Sequence, residues 1–132
     1  MGFNSELSDI TVISLEQAVA APYCGLLLAE AGARVIKVER PEGDFARDYD
    51  NSANGESCIF AWLNRGKESI CLNLKETDDL NFFKILTSKS DILLSNLAPS
   101  TLDKLGIDIN DLKKKNSKLI TCKITGYGES RE

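Results

Sequence analysis

The chain has 132 residues, of which 42% are hydrophobic and 27% charged, with a net charge of −4 and no histidine. That composition describes one ordinary domain with a single core. The acidity, and the absence of aromatic residues around the only basic run, Lys113-Lys114-Lys115, exclude a nucleic-acid backbone as partner, and the lack of histidine excludes Ser-His-Asp or Cys-His catalysis and any imidazole metal ligand.

Residues 10–15, led in by Ser8 and Asp9, read as an apolar strand. Residues 16–21 read as a turn. Pro22 suits a first helical turn, and residues 23–31, rich in Leu and Ala, read as a helix closed by Gly32 in a left-handed cap. The second strand, 34–39, carries the β-branched Val35, Ile36 and Val38 and presents Glu39 and Arg40 at its carboxyl end. A polar stretch over 40–56, with Gly43, Asp44, Arg47, Asp48 and Asp50, is a loop of the length that is usually functional or mobile.

Residues 57–64 read as a short helix, after which Arg65-Gly66-Lys67 turns the chain into a strand over 69–73. Thr77 is placed as the N-cap of an amphipathic helix, with Asp78 and Asp79 in its first turn, Leu80, Phe83 and Leu86 at helical spacing, and an end near Ser88. A strand over 91–95 is broken by Asn96-Leu97-Ala98-Pro99. A helix over 100–105 closes at Gly106, Asp108 or Asn110 caps another helix through Lys115, and a last strand over 119–125 runs into Gly126-Tyr127-Gly128.

Strands alternating with helices predict an α/β fold, a Rossmann-like three-layer domain whose mainly parallel sheet of about five strands is covered on both faces. Ligands of such sheets bind in the crevice outside the carboxyl ends of the strands. The chain stops just after a strand and a glycine turn, where an α/β fold would continue, so residues 1–132 are expected to be the N-terminal segment of a longer protein. No apolar run approaches a membrane span, and Asn4, Glu6, Ser8 and Asp9 interrupt any signal-peptide core, so a cytoplasmic location and no membrane partner are expected. Cys24, Cys58, Cys71 and Cys122 form no C-x-x-C pair, which predicts reduced thiols and no metal, with Cys71 and Cys122 as small buried side chains of strands.

A strand, turn, helix and second strand ending in Glu39 imitate a dinucleotide site, but Glu16-Gln17-Ala18-Val19-Ala20-Ala21-Pro22 has no glycine to let the backbone approach a pyrophosphate. Asn64-Arg65-Gly66-Lys67 likewise lacks the glycine loop of a Walker motif. The loop acids Asp44, Asp48 and Asp50 read as solvated or capping residues.

Ala20-Ala21-Pro22, Gly32-Ala33-Arg34-Val35-Ile36-Lys37-Val38-Glu39 followed by Gly43-Asp44 and Arg47, and Asn64-Arg65-Gly66-Lys67-Glu68-Ser69-Ile70 lie in this order along the chain. They are followed by Leu72-Asn73-Leu74-Lys75, Asn96-Leu97-Ala98-Pro99, Leu102-Asp103-Lys104-Leu105-Gly106 and Gly126-Tyr127-Gly128. Together they resemble the opening part of the family III CoA-transferases, the CaiB/BaiF group that includes formyl-CoA transferase. The resemblance covers most of the chain.

It implies transfer of coenzyme A between an acyl-CoA and a carboxylic acid, and a homodimer for the full-length protein. It implies that the CoA nucleotide is held by Val19 and Ala20 at the first turn, by Arg40, by Leu72, Asn73, Leu74 and Lys75, by Asn96, Leu97 and Ala98, and by Lys104. Arg40, Lys75 and Lys104 suit phosphate charges and Leu72, Leu74 and Leu97 an adenine. Asn73 stands where the family often has Asp, and Lys104, a point charge, where it often has a forked Arg. The family's nucleophile is an aspartate that attacks the thioester to form a mixed anhydride, and it belongs beyond Gly128. No catalytic residue is therefore assigned, and this chain alone is expected to be inactive. An acyl-CoA racemase and a non-catalytic CoA-binding fragment are the alternatives.

Overall fold

In the computed structural model, which describes residues 6–128, the chain runs β1 (Thr11–Leu15), α1 (Ala20–Glu30), β2 (Arg34–Glu39), a 3-10 turn at Phe45–Asp48, α2 (Cys58–Asn64), β3 (Glu68–Cys71), α3 (Thr77–Ser88), β4 (Ile92–Ser95), α4 (Pro99–Lys104), α5 (Ile109–Lys115) and β5 (Ile120–Lys123). The five strands form one sheet in the order β3-β2-β1-β4-β5, and every neighbouring pair is parallel. This is the expected α/β, Rossmann-like architecture. No helix of the described residues is long and apolar enough to cross a membrane.

Successive strand residues point to opposite faces of a sheet, and the two faces build two cores. Val12, Val35 and Leu94 pack with Ala21 of α1 and Ala33. Ile13, Leu15, Ile36, Val38 and Leu93 pack on the other face with Phe83 of α3, Leu102 of α4 and Leu112 of α5. The central strands are thus buried on both sides, as parallel strands are.

Helix α1 begins at Ala20, earlier than the proline signal predicts, and Pro22 falls at its third position. A missing N–H costs nothing there, because the first-turn donors have no intrahelical acceptor. Its far end closes as predicted. Gly32 has φ 101°, its N–H reaches Ala29 O and the Ala33 N–H reaches Leu28 O, the paired bonds of a Schellman cap.

Three expectations are corrected. Thr77 is the first helical residue of α3 and not its cap; Glu76 precedes it without a side-chain capping bond, and Asp79 instead accepts from the Asn73 N–H at 2.7 Å. Cys71 and Cys122 are exposed. They stand on β3 and β5, the two edges of the sheet, while α1 packs against β1, β2 and β4, so that face is not covered at its margins. The polar stretch 40–56 is not a bare loop: Asp44 caps the 3-10 turn, and Asp50 accepts from the Ser52, Cys58 and Ile59 amides and from the Ser57 hydroxyl. Those donors hold the Asp50 carboxyl far below the usual carboxylate range, the Cys58 amide most of all.

Candidate functional site

The chain order places β1 beside both β2 and β4, so crossovers leave β1 on both sides and a crevice opens at the carboxyl ends of the strands. A cleft of about 530 Å³ lies there. Its walls come from Leu15 to Gln17 at the end of β1, Val38 to Arg40 at the end of β2, Leu72 to Lys75 after β3, Leu97 and Ala98 after β4, and Thr101 and Leu105 on the α4 side.

Among the residues singled out from sequence, Arg40, Leu72, Asn73, Leu74, Lys75, Leu97 and Ala98 border this cleft together. Val19 and Ala20 are exposed at the start of α1 and lie outside its wall, as do Asn96, bonded to the back of the Gln17 loop, and Lys104, exposed on α4. Leu72 and Leu74 are only 6% and 9% exposed, sit in the α3-side core and also line the cleft. The core and ligand readings of these two residues therefore hold at once.

The basic residues are presented differently. Arg40 Nε donates to Gly43 O at 2.9 Å, and its guanidinium lies 4.3 Å above the centre of the Phe45 ring, which fixes a planar cation at the rim. Lys75 is exposed at the turn after β3, where its N–H reaches Asn73 Oδ1 at 3.3 Å. The Asn at 73 therefore closes its own turn.

Beneath the rim lies a buried chain of charges. Lys37, in the middle of β2, donates to Asp44 Oδ2 at 2.6 Å and reaches Glu16 Oε1 at 3.4 Å. Lys67 donates to the same Glu16 oxygen at 2.5 Å, to Pro22 O at 2.8 Å and to Asn64 Oδ1 at 3.1 Å, and Ser14 donates to Glu16 Oε2 at 2.6 Å. At the open end of this chain Arg47, itself exposed, grips the buried Glu39 with two bonds of 2.9 and 2.8 Å. Three carboxylates meet three cations, so the group is neutral overall, and among the described residues no buried side-chain nitrogen or oxygen lacks a partner.

Burial by itself would push the Asp44 carboxyl up, but Lys37 and the Ala46 and Ala18 amides outweigh it and hold the group below its usual range. Glu39 behaves likewise: Arg47 and the Asp44 amide overcome its desolvation. Burial pulls Lys67 down, against the raising effect of Glu16. Asp44, expected as a solvated or capping acid, does cap the 3-10 turn but is buried and ion-paired.

Sequence reasoning passed over Lys37 and Glu16. The signal was present: a lysine inside Val35-Ile36-Lys37-Val38, in a strand buried on both faces, must find a carboxylate.

The loop joining β1 to α1 is clamped from two sides. Asn96 Oδ1 accepts from the Gln17 N–H at 2.9 Å and Asn96 Nδ2 donates to Gln17 O at 2.8 Å, while Asp44 Oδ1 accepts from the Ala18 N–H at 2.8 Å. Between these anchors Ala18 takes φ 61°, a left-handed conformation that costs an alanine about 1–2 kcal/mol.

The profile of CoA-transferase family III matches residues 7–132. The succinyl-CoA:mesaconate CoA-transferase of Haloarcula marismortui is 39% identical over 132 aligned positions, covering 95% of this chain and 33% of that protein. The acetyl-CoA:oxalate CoA-transferase of Acetobacter aceti is 38% identical over 122 positions, covering 92% and 31%. Among solved structures, a CaiB/BaiF family protein of Brucella suis superposes with a TM-score of 0.88 at 34% identity, over 98% of this chain and 35% of that one. The chain thus spans about a third of the length of the curated relatives it matches. Because the family profile runs through every strand of the sheet and every loop that walls the cleft, the chain belongs to CoA-transferase family III.

Proposed function

We propose that this chain forms the CoA-binding part of an enzyme that moves coenzyme A between an acyl-CoA and a carboxylic acid. The observation that carries the reading is the cleft at the strand ends, which pairs an apolar wall of Leu72, Leu74 and Leu97 with two cations at its rim, Arg40 and Lys75. CoA offers an adenine for such a wall and phosphate groups for such cations. Three of the four acids that line the cleft are neutralised, Glu39 by Arg47, Asp44 by Lys37 and Glu16 by Lys67, which leaves Glu42 as the one acid without a cation partner among the described residues, beside Arg40 and Lys75. Val19, Ala20 and Lys104 remain part of the proposed site as residues the ligand's phosphates reach, and Asn96 as one that acts through the Gln17 loop.

The same geometry withholds two of the loop acids from attack on a thioester. Asp44 accepts from Lys37, Ala18 and Ala46, and Asp50 from three amides and a hydroxyl, so neither carboxylate is free as a nucleophile. In this reading the acyl-transfer carboxylate belongs to the part of the family beyond Gly128, the whole protein pairs as a homodimer, and it works in the cytoplasm.

Calorimetric titration with CoA tests the reading. The chain should bind saturably, and Arg40→Ala should weaken binding about tenfold, the loss of one charge-assisted phosphate contact. Absence of saturable heat, or an unchanged affinity in Arg40→Ala, would overturn it. Acyl exchange between an acyl-CoA and an added acid at an enzymatic rate would overturn the non-nucleophilic role of Asp44 and Asp50.

A further inference from the structure

Strained backbone persists where the surrounding structure over-determines it, and such outliers concentrate at ligand clamps. Ala18, with φ 61°, is such a residue, and it follows directly on Gln17, which lines the cleft. The two bonds between Asn96 and Gln17 reproduce, with a side-chain carboxamide, the donor and acceptor pair that a neighbouring strand would offer. Asn96 itself does not line the cleft, although Leu97 and Ala98 after it do.

We propose that Asn96 is a positioning residue of the CoA cleft: it shapes the Gln17–Ala18 loop through the main chain of Gln17 and does not touch the ligand. This rests on the reading of the cleft as a CoA site. The chemistry demands an amide. Asp in its place would keep the acceptor for the Gln17 N–H but set a carboxylate oxygen against Gln17 O, and Ala would release both groups. The second anchor, Asp44 on the Ala18 N–H, stays in place in either variant and leaves the loop held at one end only.

Two measurements on the 132-residue chain test the role. In the free protein, amide hydrogen exchange at Gln17 should rise about tenfold or more in Asn96→Ala, while the Leu94 amide in the sheet keeps its protection. In titrations with CoA, Asn96→Ala should lower affinity about tenfold in the native background but less than about threefold in an Ala18→Gly background, where glycine adopts the left-handed conformation without strain and the loop keeps its shape with less help. Asn96→Asp, of native size, serves as the second variant and should show the same dependence on background.

Equal losses of affinity in the two backgrounds would mean that Asn96 touches CoA directly and would overturn the proposal. So would unchanged exchange at Gln17. Failure of the unmutated chain to bind CoA would overturn the ligand reading and this role with it, and is told apart from the other outcomes because the exchange measurement uses no ligand.

Discussion

Lys67 and Glu16 show what a buried charge costs and does. Both side chains are almost fully enclosed, at 2% and 0% exposure, and Lys67 spans three partners that belong to the loop after β1, to α1 and to α2. Removing one member leaves the other charged in a dry site, which costs about 3–5 kcal/mol. Lys67→Met should lower the free energy of urea unfolding by that amount, since Lys37 lies at 3.4 Å from Glu16 and is committed to Asp44 at 2.6 Å. Adding Glu16→Gln to the same chain should restore more than half of the loss, because the orphaned charge is gone. No recovery in the double variant would refute the charge explanation.

Asp44 and Glu39 make the acid side of the stability profile. Both have carboxyls held below their ordinary range in the folded state. On acidification the unfolded chain therefore takes up these protons first, near the usual carboxylate values around 4, while the folded chain resists to lower pH. Their contribution is complete at neutral pH and drains away as the pH falls through that interval and on to the folded values. Denaturant midpoints measured from pH 7 down to pH 2 should fall most steeply below about pH 4.5, and Asp44→Asn should make the slope shallower.

Helix α1 carries an unusual glycine. In an ordinary helix interior Gly→Ala stabilises by about 1 kcal/mol. At Gly25 the added methyl would stand 2.9 Å from Glu16 Oε2 and 3.1 Å from Lys67 Nζ, atoms already pinned by the buried bonds described above. Gly25→Ala should therefore destabilise by about 1–3 kcal/mol, as overpacking does, with a lower melting temperature in calorimetry. A rise in melting temperature would contradict the account. At this level much was readable in advance: the strand 34–39 and the Gly32 cap are where the sequence pattern places them, and of the two caps it offered for α5, Asp108 and Asn110, the structure uses Asp108. What failed were two helix starts. Thr77 lies inside α3 because Glu76 O already accepts from the Leu80 N–H and takes the capping position, and the start of α1 moved to Ala20 because a helix tolerates proline in its first turn.

For the molecule as a whole, the surface is less finished than the interior. Val19, Tyr23, Leu27, Ile59 and Trp62, on and around α1 and α2, are 37–49% exposed, with the Tyr23 and Trp62 ring centroids 5.9 Å apart. On the far edge of the sheet Ile120 of β5 is 61% exposed, on a strand that has one neighbour, β4, among the described residues. Open strand edges and apolar patches drive association. Sedimentation of the chain from micromolar toward millimolar concentration should show species above the 14.5 kDa monomer, and Ile120→Lys or Trp62→Glu should shift the distribution back toward it. A single monomeric species throughout would rule this out.

The order of strands and helices and the α/β class were determined by the sequence alone, since periodicity, caps and turns act between residues close in the chain, and the motifs that resemble the family singled out Arg40, Leu72 to Lys75, Leu97 and Ala98, which stand near strand ends. Tertiary structure alone decided that Lys37, Glu16, Asp44 and Lys67 become one buried group, that Asn96 spends its carboxamide on Gln17, and that Cys71 and Cys122 face outward on sheet edges. Those outcomes depend on which strands become neighbours and which helices cover them. Local patterning does not encode that choice, because it is made by the packing of groups up to 80 residues apart.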